Sequence, residues 1–497
     1  MFYTSTRDKT VHVRSAEAIT RGISADGGLF LPEEIPQITL SDIDELSKMG
    51  YKDRAKKILP LYLTDFTKEE ISDCVDGAYA DGKFSSEKIA PLYSFGDGVE
   101  ILELWKGPTC AFKDMALQLL PHLLTTAAKK AAGGKKIVIL VATSGDTGKA
   151  ALEGFRDVPD TKIAVFYPND GVSPMQKLQM VTQEGGNVAV FALNGNFDDA
   201  QNGVKAIFTD KNIADELLKH NMMFSSANSI NWGRLVPQIV YYISAYCDMV
   251  ADGKIKNGDE INIVVPTGNF GNILAAYYAK EMGIPVKKLV CASNANKVLT
   301  DFINTGVYDR RREFYVTASP SMDILISSNL ERLLFILSDC DDKKVRKDMK
   351  ELSENGVYDV GESVRKKISD LFVAGFCDDV GTKATIKKEF DEKKYLCDTH
   401  TAVAVNVYYA YREKTGDKTP TVIASTASPF KFCAAVLDAL SPDLSDVSDE
   451  FKKTEKLSEI TGLECPRQIA SLHEKKIRFD KVVDRKDMAD EILKALL

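Results

Sequence analysis

The stretch Lys135-Lys-Ile-Val-Ile-Leu-Val-Ala142 is a continuous apolar run of strand length, and a helical pattern follows it from Ala150. Runs of this kind are typical of strands that are buried on both faces of a mainly parallel sheet. Five more such runs occur along the chain, at 162–167, 187–192, 261–265, 288–292 and 421–425. The sequence therefore predicts an α/β fold whose ligands bind beyond the carboxyl ends of the strands.

Length, charge and cysteine content limit the possible functions. The 497-residue chain is long enough for two to four domains, and its net charge of −8 provides no basic stripe for nucleic acid. The N-terminus lacks an apolar signal region, and no run approaches the roughly 18 apolar residues of a membrane helix. The nine cysteines and five histidines are scattered without C-x-x-C or H-E-x-x-H spacing. We therefore expect a cytoplasmic protein with reduced cysteines, no metal, no nucleic acid and no membrane association.

The regions outside the apolar runs are predicted to be mostly helical. Residues 1–95 are expected to form an N-terminal domain with an initial strand, and Ser41 is predicted to cap one of its helices. Thr67-Lys-Glu-Glu70 is predicted to form a capping box. Residues 300–398 are charged and helical, and residues 441–497 form a polar C-terminal extension.

One lysine stands out in the stretch Gly107-Pro-Thr-Cys-Ala-Phe-Lys113-Asp-Met-Ala-Leu-Gln-Leu-Leu120. It lies between apolar residues, after a Gly-Pro turn and at the start of a helical pattern. Desolvation at such a position lowers the pKa of a lysine and favours its reactive neutral amine. The alternative is an ordinary lysine that extends its ammonium to solvent from the start of a helix.

The first strand end whose residues could bind a ligand is Ala142-Thr-Ser-Gly-Asp-Thr-Gly-Lys149. It is not a nucleotide P-loop, because Gly145 and Gly148 are too close together and an alanine follows the lysine. Hydroxyls and glycines at a helix N-terminus do suit a carboxylate or a phosphate, since free amides point at the anion. The alternative is a capped helix without a ligand.

Two further strand ends complete the pattern. Pro266-Thr-Gly-Asn-Phe-Gly-Asn272 could hold a phosphate through backbone amides, and it lacks the G-x-G-x-x-G of dinucleotide sites. Ser425-Thr-Ala-Ser-Pro-Phe-Lys-Phe432 offers a hydroxyl to a heterocycle, although Ser or Thr before Pro is also common in turns. A desolvated lysine, a phosphate loop and a strand-end hydroxyl together suit pyridoxal 5'-phosphate held as a Schiff base.

With these motifs the chain resembles the threonine synthases of the tryptophan-synthase-β-like group of pyridoxal-phosphate enzymes, over almost its whole length. The resemblance implies fold type II, with two open, mainly parallel sheets flanked by helices. It implies a large cofactor domain at 96–140 and 256–440, into which the helical region at about 300–398 is inserted, and a small domain at 141–255. The motifs that carry it are 22–32, 107–114, 142–148, Ala227-Asn-Ser-Ile-Asn-Trp-Gly-Arg-Leu235, 268–272 and Ser319-Pro-Ser-Met-Asp-Ile324.

The resemblance also implies roles for single residues. Lys113 would form the Schiff base, Thr426 would face the pyridine nitrogen, and Asp146 would lie near the cofactor ring. Ser144 and its neighbours would receive the substrate carboxylate. Arg234 suits a phosphate independently, because a guanidinium fork matches two oxygens, although a helix-surface arginine is the alternative. The cofactor phosphate would be held by Gly268, Asn269, Phe270, Gly271 and Asn272, and the substrate phosphate by Thr143, Thr147, Asn228 and Arg234.

The implied reaction is a γ-elimination and β-addition that converts O-phospho-L-homoserine and water to L-threonine and phosphate. Lys113 would move the α- and β-protons. A phospho-lyase that yields a 2-oxo acid, ammonia and phosphate is the alternative enzyme, and a non-catalytic binding protein is the alternative class. The chain could be a monomer or a homodimer. Two departures are visible: Ser428-Pro429 replaces the His-Pro of many relatives, and Phe430 replaces a smaller residue.

Overall fold

The computed structural model describes residues 1–143, 145–169, 172–444 and 449–497. The strands of these ranges are β1 (Tyr3–Ser5), β2 (Asp8–Val13), β3 (Phe30–Pro32), β4 (Leu92–Gly96), β5 (Val99–Glu103), β6 (Lys136–Ala142), β7 (Thr161–Pro168), β8 (Val188–Leu193), β9 (Met222–Ser225), β10 (Ile261–Pro266), β11 (Val286–Ser293), β12 (Val307–Asp309), β13 (Val357–Asp359), β14 (Phe372–Phe376), β15 (Thr421–Ser425) and β16 (Val482–Val483). The α-helices are α1 (Ser15–Arg21), α2 (Leu40–Ser47), α3 (Tyr51–Tyr62), α4 (Lys68–Ala78), α5 (Lys113–Leu117), α6 (Leu120–Ala131), α7 (Asp146–Phe155), α8 (Pro174–Val181), α9 (Phe197–Thr209), α10 (Lys211–Lys219), α11 (Trp232–Ala251), α12 (Gly271–Glu281), α13 (Val298–Thr305), α14 (Leu330–Leu337), α15 (Asp342–Glu354), α16 (Gly361–Leu371), α17 (Asp379–Lys393), α18 (Thr399–Thr415), α19 (Cys433–Leu440), α20 (Glu450–Thr461), α21 (Arg467–Ala470) and α22 (Met488–Leu496).

A six-stranded sheet forms the centre of the larger part of the molecule, in the order β14-β11-β10-β15-β5-β4. Its pairs are parallel except for the edge pair β4 and β5. The residues of β10 and β15 are buried throughout, as expected for strands covered on both faces. The parallel arrangement brings the carboxyl ends of β10, β15 and β5 to one edge.

A second sheet of five strands has the order β16-β8-β7-β6-β9, and all of its pairs are parallel. The boundary predicted between residues 140 and 141 falls inside β6. The C-terminal segment returns to this sheet, because β16 extends its edge and Ile492 of α22 lies in its apolar core. The prediction of two mainly parallel sheets flanked by helices is confirmed.

The N-terminal segment contains a three-stranded antiparallel sheet, β2-β1-β3, and the helices α1 to α4. The capping box at Thr67 and Glu70 is confirmed. The prediction for Ser41 is wrong, because Thr39 caps α2 and forms a capping box with Asp42. Ser41 lies within the first turn of that helix, where its side chain cannot occupy the cap position.

The longest helix, α11, connects these parts. Nearly all of its residues are buried, including the polar Arg234 and Gln238, and the rest of its sequence is mostly apolar. It packs against α12, α3, α2 and α5, so it touches both the N-terminal segment and the helix that begins at Lys113. Within the described ranges, none of the helices is both long and apolar enough to cross a membrane.

Candidate active site

The loop that carries Lys113 is paired with the loop that follows β15. The Phe112 N–H donates to the Thr426 carbonyl at 2.8 Å, and the Ser428 N–H donates to the Cys110 carbonyl at 3.0 Å. An antiparallel bridge between Ala111 and Ala427 lies between these bonds. The structure therefore brings together two of the predicted site segments, and Thr426 is buried beside the lysine loop.

A buried carboxyl group fixes the turn before Lys113. Asp114 accepts hydrogen bonds from the Thr109 N–H at 2.8 Å and from the Thr109 hydroxyl at 2.7 Å. Gly107 is required at the start of the turn, because a Cβ atom there would lie 2.6 Å from the Asp114 Cβ. Burial raises the pKa of Asp114 to about 6. This local network explains why the lysine begins α5 in one defined orientation.

The Lys113 side chain is only 11% exposed, and its Nζ lies 3.6 Å from Asp146 Oδ2. The same Nζ donates to the Ser321 hydroxyl at 3.4 Å. Burial lowers the pKa of Lys113; Asp146 opposes this shift, while Lys431 and Arg234 add to it. The alternative of a lysine that extends to solvent is therefore wrong.

Asp146 begins α7, at the end of β6, and both of its oxygens are engaged. Oδ1 lies 2.8 Å from Lys431 Nζ and accepts a hydrogen bond from Gln176 Nε2 at 3.1 Å. Oδ2 faces Lys113 and accepts from the Ser321 hydroxyl at 3.4 Å. Burial acts to raise the pKa of Asp146, but Lys431 and Lys113 outweigh it, so the pKa is lowered and the group is a carboxylate at neutral pH.

Ser321 is held by a short chain of buried polar groups. Its N–H donates to His400 Nε2 at 3.2 Å, so the histidine proton lies on Nδ1, which is 2.9 Å from Asp398 Oδ1. Asp323, two residues further on, accepts from Asn294 Nδ2 at 2.7 Å. These contacts fix the motif at 319–324 beside the amine of Lys113.

The loop after β10 has the features of a phosphate cradle. A Cβ atom on Gly268 would lie 2.8 Å from the Ser321 carbonyl oxygen, so only glycine fits there, and Phe270 has a left-handed φ of 62°. The helix α12 begins at Gly271 without a side-chain cap, and its first-turn amides can therefore serve a ligand. The loop is anchored from the other side, because Asn329 donates to the Asn269 carbonyl at 3.0 Å.

Asn272 supplies an independent sign of a ligand. Its Oδ1 accepts from the hydroxyls of Tyr241 and Tyr242, both at 2.6 Å. Its Nδ2 is buried without a hydrogen-bond partner among the described residues. A buried donor without a partner is costly, so a bound acceptor such as a phosphate oxygen fits this position.

Arg234 lies in the first turn of α11 and is 3% exposed, so the alternative of a surface arginine is wrong. Its Nη1 donates to the Ala227 carbonyl at 2.6 Å, while its Nε is buried without a partner in the described part of the chain. Burial lowers the pKa of Arg234 to about 10. A buried guanidinium with an unused donor suits an anion.

The remaining predicted substrate ligands are less uniform. Thr143 Oγ1 accepts from the Gly145 N–H at 2.9 Å and from the Gly148 N–H at 3.0 Å, so this hydroxyl stabilises its own loop. Thr147 is half-buried, and Asn228 is exposed. Ser144 lies outside the described residues. Their roles towards a substrate stay predictions.

Sequence reasoning assigned no role to several residues that the fold brings to the site: Gln176, Ser321, His400 and Lys431. Lys431 has a side chain that is 1% exposed, and it donates to the Thr109 carbonyl at 3.0 Å. Its position between Phe430 and Phe432 was a signal of burial. Ser428 accepts from the Phe430 N–H and caps the short helix of Pro429–Phe432.

Known proteins resemble the chain in sequence and in fold. Family models match residues 2–79 (threonine synthase N terminus), 101–363 (pyridoxal-phosphate dependent enzyme) and 401–492 (threonine synthase, C-terminal). Threonine synthase of Saccharomyces cerevisiae is 39% identical over 88% of this chain and 89% of its own length. The chain belongs to the threonine synthase family. The family's structures agree, since PLP-bound threonine synthase from Brucella melitensis superposes with a TM-score of 0.88 and 35% identity, covering 100% of this chain and 98% of that one.

Some of the similar proteins are much longer than this chain. Threonine synthase-like 1 of Homo sapiens is 40% identical over 86% of this chain, which spans 58% of that protein's length. Membership of the family and the structural match give the chain the fold type II architecture of pyridoxal-phosphate dependent enzymes. The groups described above fit that cofactor, because a desolvated amine, an open amide cradle and the Asn272 donor lie around one site.

Proposed function

We propose that the chain is a threonine synthase, which converts O-phospho-L-homoserine and water to L-threonine and phosphate. The observation that carries the proposal is a buried lysine amine, 11% exposed, that feels the charge of a buried guanidinium whose Nε has no partner in the described ranges. The first group suits a carbonyl cofactor and proton transfer, and the second suits a phosphorylated substrate. Similarity to the threonine synthase of Saccharomyces cerevisiae over nearly the full length of both chains supports the same substrate.

The residues that would hold pyridoxal 5'-phosphate come from the start of α5 and from the loops after β10 and β15. Lys113 would bind its aldehyde carbon, the loop from Gly268 to Asn272 its phosphate, and Thr426 its ring nitrogen. When bound, the cofactor supplies a sink for the electrons of a substrate carbanion. A hydroxyl partner such as Thr426 favours an unprotonated ring nitrogen, because it lacks the negative charge that would stabilise the pyridinium.

Lys113 would carry protons between the substrate carbons. Burial lowers its pKa, so a larger fraction of the amine is neutral and able to accept the α-proton. The carboxylate of Asp146, 3.6 Å away, stabilises the ammonium that results. Proton uptake and release by one amine is what an α-deprotonation followed by transfer at Cβ requires.

Arg234 would bind the substrate phosphate and stabilise it as it leaves from Cγ. Thr143, Thr147 and Asn228 would be further ligands of this phosphate, and Ser144 would receive the substrate carboxylate. The Thr143 hydroxyl also accepts from the Gly145 and Gly148 amides of its own loop. A guanidinium held in a buried site is more effective than one in water, since its charge is less screened. The pocket therefore recognises the substrate and assists the leaving group.

Product identification tests the proposal. Purified holoenzyme with O-phospho-L-homoserine should release phosphate and an equal amount of L-threonine, measured by amino-acid chromatography. Formation of 2-oxobutyrate and ammonia with the same phosphate yield would replace the synthase assignment by the phospho-lyase. Absence of both products and of bound cofactor absorbance would favour the non-catalytic alternative.

We propose a cytoplasmic location and a threonine-biosynthetic role, with a small molecule as the partner and no nucleic acid or membrane. The nine cysteines are free thiols, which suits a reducing compartment. The division into N-terminal, large, small and C-terminal parts is likewise a proposal, with the small domain starting before Lys136. Gel filtration with light scattering would decide between a monomer and a homodimer.

A further inference from the structure

Lys431 is a second buried lysine at the site, and the proposed reaction does not use it. It lies in the short helix after β15, and its side chain is 1% exposed. Its Nζ contacts Asp146 Oδ1 at 2.8 Å and donates to the Thr109 carbonyl at 3.0 Å. It therefore joins the loop that carries Lys113, the start of α7 and the end of β15.

The two oxygens of Asp146 have different neighbours. Oδ1 contacts Lys431 and Gln176, whereas Oδ2 faces Lys113 at 3.6 Å and Ser321 at 3.4 Å. Anchoring one oxygen fixes the rotation of the carboxylate and presents the other oxygen to the reactive amine. Lys431 is also the strongest of the charges that keep this buried group ionised, ahead of Lys113.

We propose that Lys431 is a positioning residue that keeps Asp146 ionised and directed at Lys113. The proposal rests on the proposed function, because that function makes Lys113 the reacting amine. Asp146 follows β6 of the five-stranded sheet, and Lys431 follows β15 of the six-stranded sheet. The ion pair therefore also connects the two sheets at their carboxyl ends.

The groups that face Asp146 determine what loss of Lys431 does. They are the charged Lys113 and Lys431 and the neutral Gln176 and Ser321, while Arg234 acts on Lys113 from further away. Without Lys431, burial of the carboxylate is opposed by one cation instead of two. Asp146 should then bind a proton much closer to neutral pH, and its attraction for Lys113 should titrate in the same range.

The first test is a double-mutant cycle in the cofactor-free protein, read by thermal unfolding at pH 8. Lys431→Met should lower the unfolding temperature by roughly 5–15 °C, because it leaves a buried carboxylate undercompensated. Adding Asp146→Asn to that variant should recover at least half of the loss. Strictly additive losses would overturn the proposal, and so would a double variant that is no more stable than Lys431→Met.

The second test is a pH titration of the absorbance of bound pyridoxal phosphate. Lys431→Met should show a transition between about pH 5 and 8 that the wild-type protein lacks, and Asp146→Asn in the same chain should abolish it. Lys431→Arg keeps the charge and should retain the wild-type spectrum at each pH. An unchanged pH profile in Lys431→Met would overturn the proposal.

Lys149 offers a matched control. It is a buried lysine of α7, but it pairs with Glu153 at 3.1 Å instead of Asp146. Lys149→Met should lower stability without producing the new spectral transition. A similar transition in this control would assign the effect to general destabilisation and overturn the role of Lys431. Neither readout uses a substrate, so failure to form threonine would overturn the proposed function without affecting either result.

Discussion

Two buried arginines have opposite environments in this molecule. Arg332 of α14 donates from Nε to the Phe30 carbonyl at 2.8 Å, from Nη1 to Asn329 at 2.5 Å, and from Nη2 to the Ile230 carbonyl. Arg234 has the Ala227 carbonyl for one nitrogen and a buried Nε without a partner in the described residues. Burial lowers the pKa of both to about 10. Partners, and not burial, therefore distinguish a structural cation from one that awaits a ligand.

Two buried lysines can be compared in the same way, because Lys149 is paired with Glu153 whereas Lys113 is the proposed reacting amine. Replacing Lys113 should have the largest effect. Lys113→Ala should reduce threonine formation by at least ~10⁴-fold, because the amine that reacts and transfers protons is gone. The free energy of unfolding should not decrease, because the substitution removes a cation whose burial is itself unfavourable. Lys149→Met is the control, and its turnover should stay within a few-fold. Comparable activity in Lys113→Ala and the wild type would disprove the assignment of the site.

Replacing each arginine by methionine tests the comparison directly. Arg332→Met should cost about 3–5 kcal/mol of unfolding free energy, because it leaves several buried acceptors unpaired. Arg234→Met should retain stability within about 1 kcal/mol but lower kcat/KM by about 10²–10³-fold, since it removes a phosphate ligand. Denaturant unfolding and steady-state kinetics of both variants provide the measurements. The opposite pattern would show that Arg234 is the structural residue.

The same comparison can be made between two buried carboxyl groups, Asp146 and Asp114. Lysines lower the pKa of Asp146, whereas burial raises that of Asp114 to about 6 from 3.8. Because folding makes Asp114 bind its proton more tightly, its contribution to stability should be most favourable below pH 4 and should decline as pH rises through about 6. Asp114→Asn should flatten this part of the stability profile, measured by urea unfolding between pH 4 and 7. An unchanged slope would count against the raised pKa.

The smallest effect concerns inorganic phosphate. In holoenzyme, whose cofactor loop is filled, millimolar phosphate should raise the unfolding temperature of the wild-type protein by a few degrees through binding at Arg234. Arg332 lies outside the proposed substrate pocket, and Arg332→Lys preserves its positive charge, so this variant should retain the protection by phosphate. Arg234→Met should lose that protection. Equal protection in both variants would place the phosphate elsewhere.

Much of the fold could be predicted, because burial on both faces leaves a continuous apolar run in the sequence. The six runs became β6, β7, β8, β10, β11 and β15. The strands β5 and β14 gave no such signal, since Glu100 and Glu103 interrupt the first and Gly375 the second. The cap at Thr39 was missed because Ser41 is an equally good capping residue by type, and only backbone geometry separates them.

The sequence by itself determined the α/β class, an amine at the start of a helical pattern at Lys113, and the chemical types at two strand ends: an amide cradle from Gly268 to Asn272 and a hydroxyl at Thr426. Local residue order is sufficient for these features, since each is made by neighbours in the chain. Only the tertiary structure decided which charged groups of the site meet and how their pKa values shift. Lys431 meets Asp146 because parallel strands bring distant segments to one edge, and the buried Nε of Arg234 has no partner in the part of the chain that the structure describes. Burial and partners set the pKa of each group, and both depend on the packing of the whole chain.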